Sequence, residues 1–454
     1  MTHVVGPVQT AWRNRFVGTT VGLVVIFSAA FAIRATWIHF FDPSPRDGRF
    51  DDSMWYDFSA RNIAGGAGYV YFDGKPTAAW PVGYPAFVAA LYKVTDERVL
   101  APKMANAVLG GLTAVGVFFL GAAVFGRRAG WAAGGLTAFM PNQVFFSTLV
   151  MSEVLSAFLL LSALLVLVYF TLDRKRVRWP AVAVAGGLLG LLTMVRGEFL
   201  LLFLVPTLAW RVAFGQWRRA LACTAVAALA MALVLTPWTV RNLVRMDYPI
   251  VVSTGAVANL LAAHWDGADG GGTFEAGNPI VEQYKHLPNP EREVVTYKAH
   301  IRKAVAWAVR HPWDELRLIP RRLYHMYRSD DSAVQWMQVK PILDKQEFDR
   351  YQTFSNGYYY MLAGWSILGA AAWWNLRDPR RLLLILVGLY FTFMFGVVFV
   401  GDPRYHFALM PVAAVLAAPA VVAVWDYLRP PTSPGRALEA GPQPVAGGPA
   451  RGAP

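Results

Sequence analysis

The chain has 454 residues, of which 56% are hydrophobic, 14% aromatic and only 16% charged. That balance argues against a soluble globular enzyme and for an all-α polytopic membrane protein. The net charge of +13 falls largely in short loops between apolar runs, where it orients spans and meets anionic head groups, so a nucleic-acid partner is disfavoured.

In chain order, the first membrane-length run covers residues 16–38 and follows Arg13 and Arg15. The positive-inside bias therefore sends the next segment to the non-cytoplasmic side. The stretch FSAAFAIRATW is a poor cleavage site, so the run is expected to be a retained anchor. The loop at 39–99 carries the adjacent acids Asp51 and Asp52, then helix-compatible apolar spacing over 53–64 and 84–92, separated by the turn-forming GGAGY and DGKP. These segments are expected to lie as short helices along the membrane surface.

Six more runs follow at 100–125, 129–147, 151–171, 179–195, 198–214 and 219–239, and three close the series at 357–375, 382–400 and 406–427. About 20 apolar residues cross a bilayer, so these make a bundle of about ten transmembrane helices. Arg127 and Arg128, the RKRVR run at 174–178, Arg211, Arg218 and Arg219, and RDPRR at 377–381 all fall on one side if both termini are cytoplasmic. The other side receives the loop at 39–99 and a second, longer one at 240–356, and loops of such length usually carry function. The second contains DGADGGG at 266–272 and amphipathic segments around 294–309 and 313–326. Residues 1–428 thus read as one transmembrane domain, and the Pro/Gly/Ala-rich tail at 429–454 as disordered and cytoplasmic. The single cysteine, Cys223, lies in an apolar run and reads as a packing residue.

The chemistry-bearing residues lie where apolar runs end on the outer side. Asp52 is the preferred general base, with Asp51 and Asp57 weaker candidates, because a carboxylate at a membrane edge can take a proton from an attacking hydroxyl. Glu153 begins the fourth run at the same depth and reads as a substrate-orienting carboxylate or a metal ligand. Arg196 with Glu198, Arg241, and Arg404 with His406 meet the same face. Each alone is an ordinary interfacial anchor, but together they suit an anionic ligand such as a lipid phosphate, which the planar guanidinium binds with two donors. DGADGGG lacks the GxxxxGK[ST] pattern and is given no phosphate-cradling role, and the chain has no HExxH, CxxC or GxSxG.

These segments resemble the GT-C glycosyltransferases of the family 39 type, which include protein O-mannosyltransferases and lipid A aminoarabinose transferases. The resemblance rests on DDSMWYDFSARNIAGGAGY, with an acid (Asp52) four residues before Tyr56; on KPTAAWPVGYPAFVAALY, with Pro81, Tyr84 and Pro85; on PNQVFFSTLVMSE, with Glu153; on TPWTVRNLVRMDYPIVVSTGAVANL; and on DPRYHFALMP. It implies a GT-C-like bundle and an inverting transfer of sugar from a polyprenyl-phosphate donor to an acceptor hydroxyl at the non-cytoplasmic face of the plasma membrane. On carry-over, Asp52 is the base or acceptor-orienting acid, Arg196, Arg241 and Arg404, with His406, face the donor phosphate, and Tyr56 and Tyr84 face the substrate. Bacterial relatives often place a Gly-Asn pair where this chain has AHWDG, so the acceptor contacts of His264 and Asp266 are left open. The acceptor class, whether glycan, lipid or protein, is open too. No metal site is assigned and no cofactor is expected, although a divalent metal is not ruled out by the residues. Two other readings compete, an O-antigen-type ligase or polymerase and a transporter or flippase of lipid-linked sugars. The second would want charges at mid-membrane depth and repeated halves.

Overall fold

A computed structural model describes residues 7–49, 51–172, 176–273, 278–340 and 342–428, with side chains from residue 18 onward. The predicted tail at 429–454, part of the basic run at 174–178 and the side chains of Arg13 and Arg15 lie outside the described residues. Helices α1 (Pro7–Phe40), α2 (Asp52–Ala64), α3 (Gly83–Thr95), α4 (Leu100–Phe125), α5 (Arg127–Ala138) and α6 (Pro141–Phe145) form the first part. Next come α7 (Glu153–Val166), α8 (Trp179–Val195), α9 (Pro206–Phe214) and α10 (Trp217–Met246). The second long loop folds as α11 (Ala256–Ala263), α12 (Pro279–Tyr284), α13 (Glu291–Arg310), α14 (Pro312–Tyr327) and α15 (Ser332–Val339), and α16 (Lys345–Ala372), α17 (Pro379–Phe393) and α18 (Met410–Leu428) close the bundle. Among the described residues the only extended pairing is one isolated bridge between Val70 and Pro76.

Seven helical segments are long and apolar enough to cross a membrane: Gly18–Phe40, Leu100–Phe125, Glu153–Thr171, Gly197–Phe214, Trp217–Met246, Pro379–Val398 and Pro403–Leu428. Each matches one of the ten predicted runs, and the other three differ for local reasons. The run at 129–147 is split, because Pro141 cannot continue a helix and instead starts α6 at its first turn. The run at 179–195 is apolar but only 17 residues long. The run at 357–375 is the second half of α16, which starts at Lys345 because Asp344 and Glu347 form a reciprocal capping box ahead of it.

Small residues let the bundle close tightly. A Cβ on Gly186 of α8 would stand 2.3 Å from the Ala227 carbonyl oxygen of α10, and one on Gly369 of α16 would stand 2.0 Å from that of Leu416 on α18. On the outer side of α10, Leu229, Leu233, Val240 and Val244 are exposed along one stripe, as a lipid-facing helix requires.

Cross-links fix which helix ends lie together. Arg128 at the start of α5 pairs with Asp426 near the end of α18, Arg380 of α17 donates to the Ala123 carbonyl at 2.9 Å, and the Arg381 guanidinium lies 4.9 Å from the Phe125 ring centre. Arg127 donates to Thr19 Oγ1. The loops carrying Arg127 and Arg128 and Arg380 and Arg381 therefore gather at one end with the close of α18, and α2, α3 and the second long loop gather at the other. There the first loop is a rigid aromatic platform: the Trp55 ring stacks on Trp80 at 4.5 Å, and Tyr56 meets Tyr84 edge-on at 4.9 Å.

Candidate active site

Asp51 and Asp52 part company at the start of α2. Asp51 is the N-cap: its Oδ1 accepts from the Met54 amide at 2.8 Å and from Ser53 Oγ at 2.7 Å, while Oδ2 pairs with the buried Lys340 Nζ at 2.9 Å. Asp52, the first helical residue, points the other way, and its Oδ2 accepts from Arg404 Nη1 at 2.5 Å. The cap thus occupies one acid and aims its neighbour at the bundle.

Arg404 arrives from a 3-10 turn, Pro403–Leu409, whose start is capped by Asp402. Its Nε donates to Glu153 Oε1, the same oxygen that accepts from Arg196 Nη1 at 2.8 Å. Glu153 opens α7, and its side chain is only 1% exposed. Its second oxygen, Oε2, has no hydrogen-bond partner. Arg196 occupies the extended step between α8 and the turn Gly197–Phe199, and its Nε donates to Glu198 Oε1 at 2.5 Å. Burial opposes its charge, but Glu198 and Glu153 outweigh that and hold the guanidinium above its ordinary range. Aromatic faces cover both cations: Trp336 lies 5.1 Å from Arg404, and Tyr405 lies 5.8 Å from Arg196. Among the described residues neither Nη2 makes a hydrogen bond, so each fork keeps donors to offer.

Tyr56 stands one helical turn after Asp52. Burial, and next the Asp52 charge, push its phenol above the ordinary value, so the hydroxyl stays a proton donor, 3.4 Å from Ser152 Oγ. Tyr84 is fully buried, and its phenol is raised by burial and by the Glu153 charge, with the Asn106 side chain acting the other way.

The structure brings Asp52, Glu153, Arg196 and Arg404 together, with Glu198 and Tyr56 beside them, and seats Arg241, His406, His264, Asp266 and Asp57 elsewhere. Arg241 donates to the carbonyls of Thr77 at 2.7 Å and of Tyr69, over the Trp238 ring, and so holds the first loop. His406 is buried between Tyr327 and Tyr359, with Nδ1 2.7 Å from the Met326 carbonyl and Nε2 3.2 Å from Asp330 Oδ1. His264 meets Glu315 at 2.5 Å and the Val398 carbonyl at 3.0 Å, and Asp266 accepts from Trp307 Nε1 at 2.6 Å. Asp57 is saturated by Arg46, Arg61 and Tyr92. Sequence reasoning missed Trp336 and Lys340, which touch the two acids' surroundings from α15 and the residue after it. The only local signal is the second acid pair in RSDDSAVQW, and there Asp330, accepting from Asn142, and Asp331, accepting from Gln335 and Gln352, are buried structural acceptors.

Among the described residues no group of three or more His, Cys, Asp or Glu side chains is arranged to hold a metal ion. Asp52 and Glu153 each face a guanidinium instead. A cavity of about 640 Å³ opens between α16, α17 and α18, lined mainly by apolar residues such as Ile367, Leu389 and Leu416. His406, two residues from Arg404, forms part of its wall together with Tyr327 and Tyr359.

No family model matches the chain, and no curated protein matches it in sequence. Solved structures do match in fold. ArnT from Cupriavidus metallidurans bound to undecaprenyl phosphate superposes with a TM-score of 0.55 at 14% identity, covering 89% of this chain and 61% of that one. The Archaeoglobus fulgidus oligosaccharyltransferase in its apo form gives 0.54 at 14% identity, covering 90% and 51%. The same organism's AglB in complex with an inhibitory peptide and a dolichol-phosphate gives 0.51 at 13% identity, covering 89% and 50%. The chain therefore spans between 50 and 61% of the length of these three proteins. It has an all-α polytopic membrane fold that it shares with these structures.

Proposed function

We propose that this protein is an inverting glycosyltransferase that moves a sugar from a polyprenyl-phosphate donor to an acceptor hydroxyl at the non-cytoplasmic membrane face. The observation that carries the reading is the meeting of Asp52, Glu153, Arg196 and Arg404, contributed by segments far apart in the chain, at one end of the bundle. The basic loops at the opposite end support the assignment of sides through the positive-inside bias. The names of the structural neighbours, which include complexes with undecaprenyl phosphate and dolichol-phosphate, support a lipid phosphate as ligand.

In the proposed reaction the acceptor oxygen attacks the anomeric carbon, its proton passes to Asp52, and the bond from that carbon to the phosphate oxygen breaks. The Nη2 donors of Arg404 and Arg196 stabilise the charge that grows on the leaving phosphate. One carboxylate suffices for such direct displacement, which inverts the anomeric centre. Glu153, buried and bound to both arginines, spaces the guanidiniums and leaves the attack to the acceptor. The prenyl chain of the donor lies in the apolar cavity beside His406.

The test is turnover of purified protein in nanodiscs with a panel of polyprenyl-phosphate sugars, read as release of polyprenyl phosphate. Asp52→Asn is expected to abolish release while leaving the melting curve and donor binding close to the parent. Parent-like turnover in that variant would remove Asp52 from the chemistry.

A further inference from the structure

The pair α13 and α14 presents an apolar face that the proposed reaction does not use. Toward the protein, α13 buries Val294, His300 and Ala304, and α14 buries Leu318, Arg322 and Met326. On the outer side Val305 and Val309 of α13, then Trp313, Leu316 and Tyr324 of α14, are each more than half exposed. On α14 the spacing from 313 to 316, 320 and 324 keeps Trp313, Leu316, Pro320 and Tyr324 on one stripe. Arg310, Arg317 and Arg321 lie exposed beside it.

The contacts of the inner face set the depth of this stripe. Arg322 is fully buried and donates to the carbonyls of Gly396 at 3.5 Å and Val397 at 3.2 Å, and one turn further on the Tyr327 hydroxyl meets Thr392 Oγ1 at 2.9 Å. The second half of α14 therefore runs antiparallel along the last turns of the Pro379–Val398 span. From Val397 back to Thr392 the span rises about 1.5 Å per residue, so Tyr327 reaches several ångströms inside the end of a membrane-crossing helix. Tyr324 stands one turn above Tyr327, which lines the apolar cavity. The stripe thus continues the cavity wall upward to the level of the head groups.

We infer that the outer stripe of α14 docks into the lipid leaflet beside the bundle, with Tyr324 deepest, Leu316 and Trp313 nearer the head groups, and Arg317 and Arg321 against anionic lipid phosphates. Trp and Tyr are the residues that settle at a bilayer interface, and arginine beside them complements the charge of an anionic leaflet. The inference does not rest on the proposed reaction, since it uses only the depth of a span and an exposed face.

The single cysteine makes the test direct, because Cys223 is fully buried in α10. Tyr324→Cys, Leu316→Cys and, as a control on an exposed polar site, Lys285→Cys are each labelled with an environment-sensitive fluorophore in the full-length protein. Each is reconstituted in nanodiscs with and without phosphatidylglycerol and with lipids brominated along the acyl chain. Docking predicts that bromination removes more than half of the emission at 324, less at 316 and almost none at 285, and that phosphatidylglycerol strengthens quenching at 316 in the parent but not in Arg317→Glu/Arg321→Glu. Absence of quenching at both 316 and 324 overturns the inference, as does equal quenching at 285. A lipid-independent spectrum at 316 with pyrene excimers between labelled copies would assign the stripe to a second copy of this chain and overturn it too.

Discussion

Replacing Arg404 by alanine removes the one side chain that touches both acids of the site. Its Nη1 lies 2.5 Å from Asp52 Oδ2, its Nε binds Glu153, and the side chain is 13% exposed. Losing one charge-assisted hydrogen bond to the leaving phosphate costs about 1.5–3 kcal/mol, which corresponds to roughly a 10- to 150-fold fall in kcat/KM. Folding should survive, because Glu153 keeps Arg196 at 2.8 Å and Asp52 is partly open to solvent. Arg404→Lys retains the charge but lacks the planar fork that spans two oxygens, so it should lie between the parent and the alanine variant. The assay is initial rate of polyprenyl phosphate release in nanodiscs with donor varied, alongside thermal unfolding of each variant. A kcat/KM for Arg404→Ala equal to that of the parent, with both proteins folded, would refute the placing of the donor phosphate at this guanidinium.

Other outcomes follow from the same geometry. Glu153→Gln leaves two buried guanidiniums without their shared carboxylate, and breaking such a pair costs about 3–5 kcal/mol; a clear drop in the thermal midpoint together with lost turnover is expected, and a parent-like midpoint would contradict the spacer role. Asp51→Ala should destabilise by about 1 kcal/mol for the lost cap, with Lys340 losing one of its two carboxylates and keeping Asp47 at 2.8 Å, while residual turnover per folded molecule stays near the parent. Complete loss of turnover in a well-folded Asp51→Ala protein would move the base to that residue. Gly186→Ala should lower the midpoint because its Cβ meets the Ala227 backbone at 2.3 Å, whereas Gly187→Ala, with nothing within 4 Å, should not. Equal midpoints for those two would contradict the α8–α10 packing.

All four residues of the central cluster were legible in the sequence, because an ionisable group at the end of an apolar run is costly to place and few such groups exist. What the sequence encodes at those positions is depth. Arg241 and His406 share that depth with Arg404, yet the first braces the loop at Thr77 and the second is packed between Tyr327 and Tyr359. Position around the bundle depends on helix packing, and no local pattern reports it. The same limit hid Trp336 and Lys340, which reach the site from a loop whose path is fixed by distant contacts such as Asn142 with Asp330. Two boundaries set by single residues are missed by hydropathy alone: the run at 129–147 passes through Pro141, which breaks it, and the run at 357–375 begins well inside α16, whose start is the Asp344 capping box.

The charge of the cluster bears on the order of events in the proposed reaction. Three carboxylates, Asp52, Glu153 and Glu198, face two guanidiniums, Arg196 and Arg404, which leaves one formal negative charge before any ligand arrives. In the proposed scheme a donor phosphate bound at the Nη2 of Arg404 competes with Asp52 for the same guanidinium, and an Asp52 loosened in this way is free to accept a proton from the acceptor. When that proton arrives the carboxylates lose one negative charge as the leaving phosphate gains one, so the two changes compensate within a site of low dielectric. On that proposal Asp52 is masked as a base until the donor binds. Such an arrangement makes donor binding a precondition for activating the acceptor, which predicts that acceptor affinity depends on Asp52 more strongly in the donor-bound protein than in the free one.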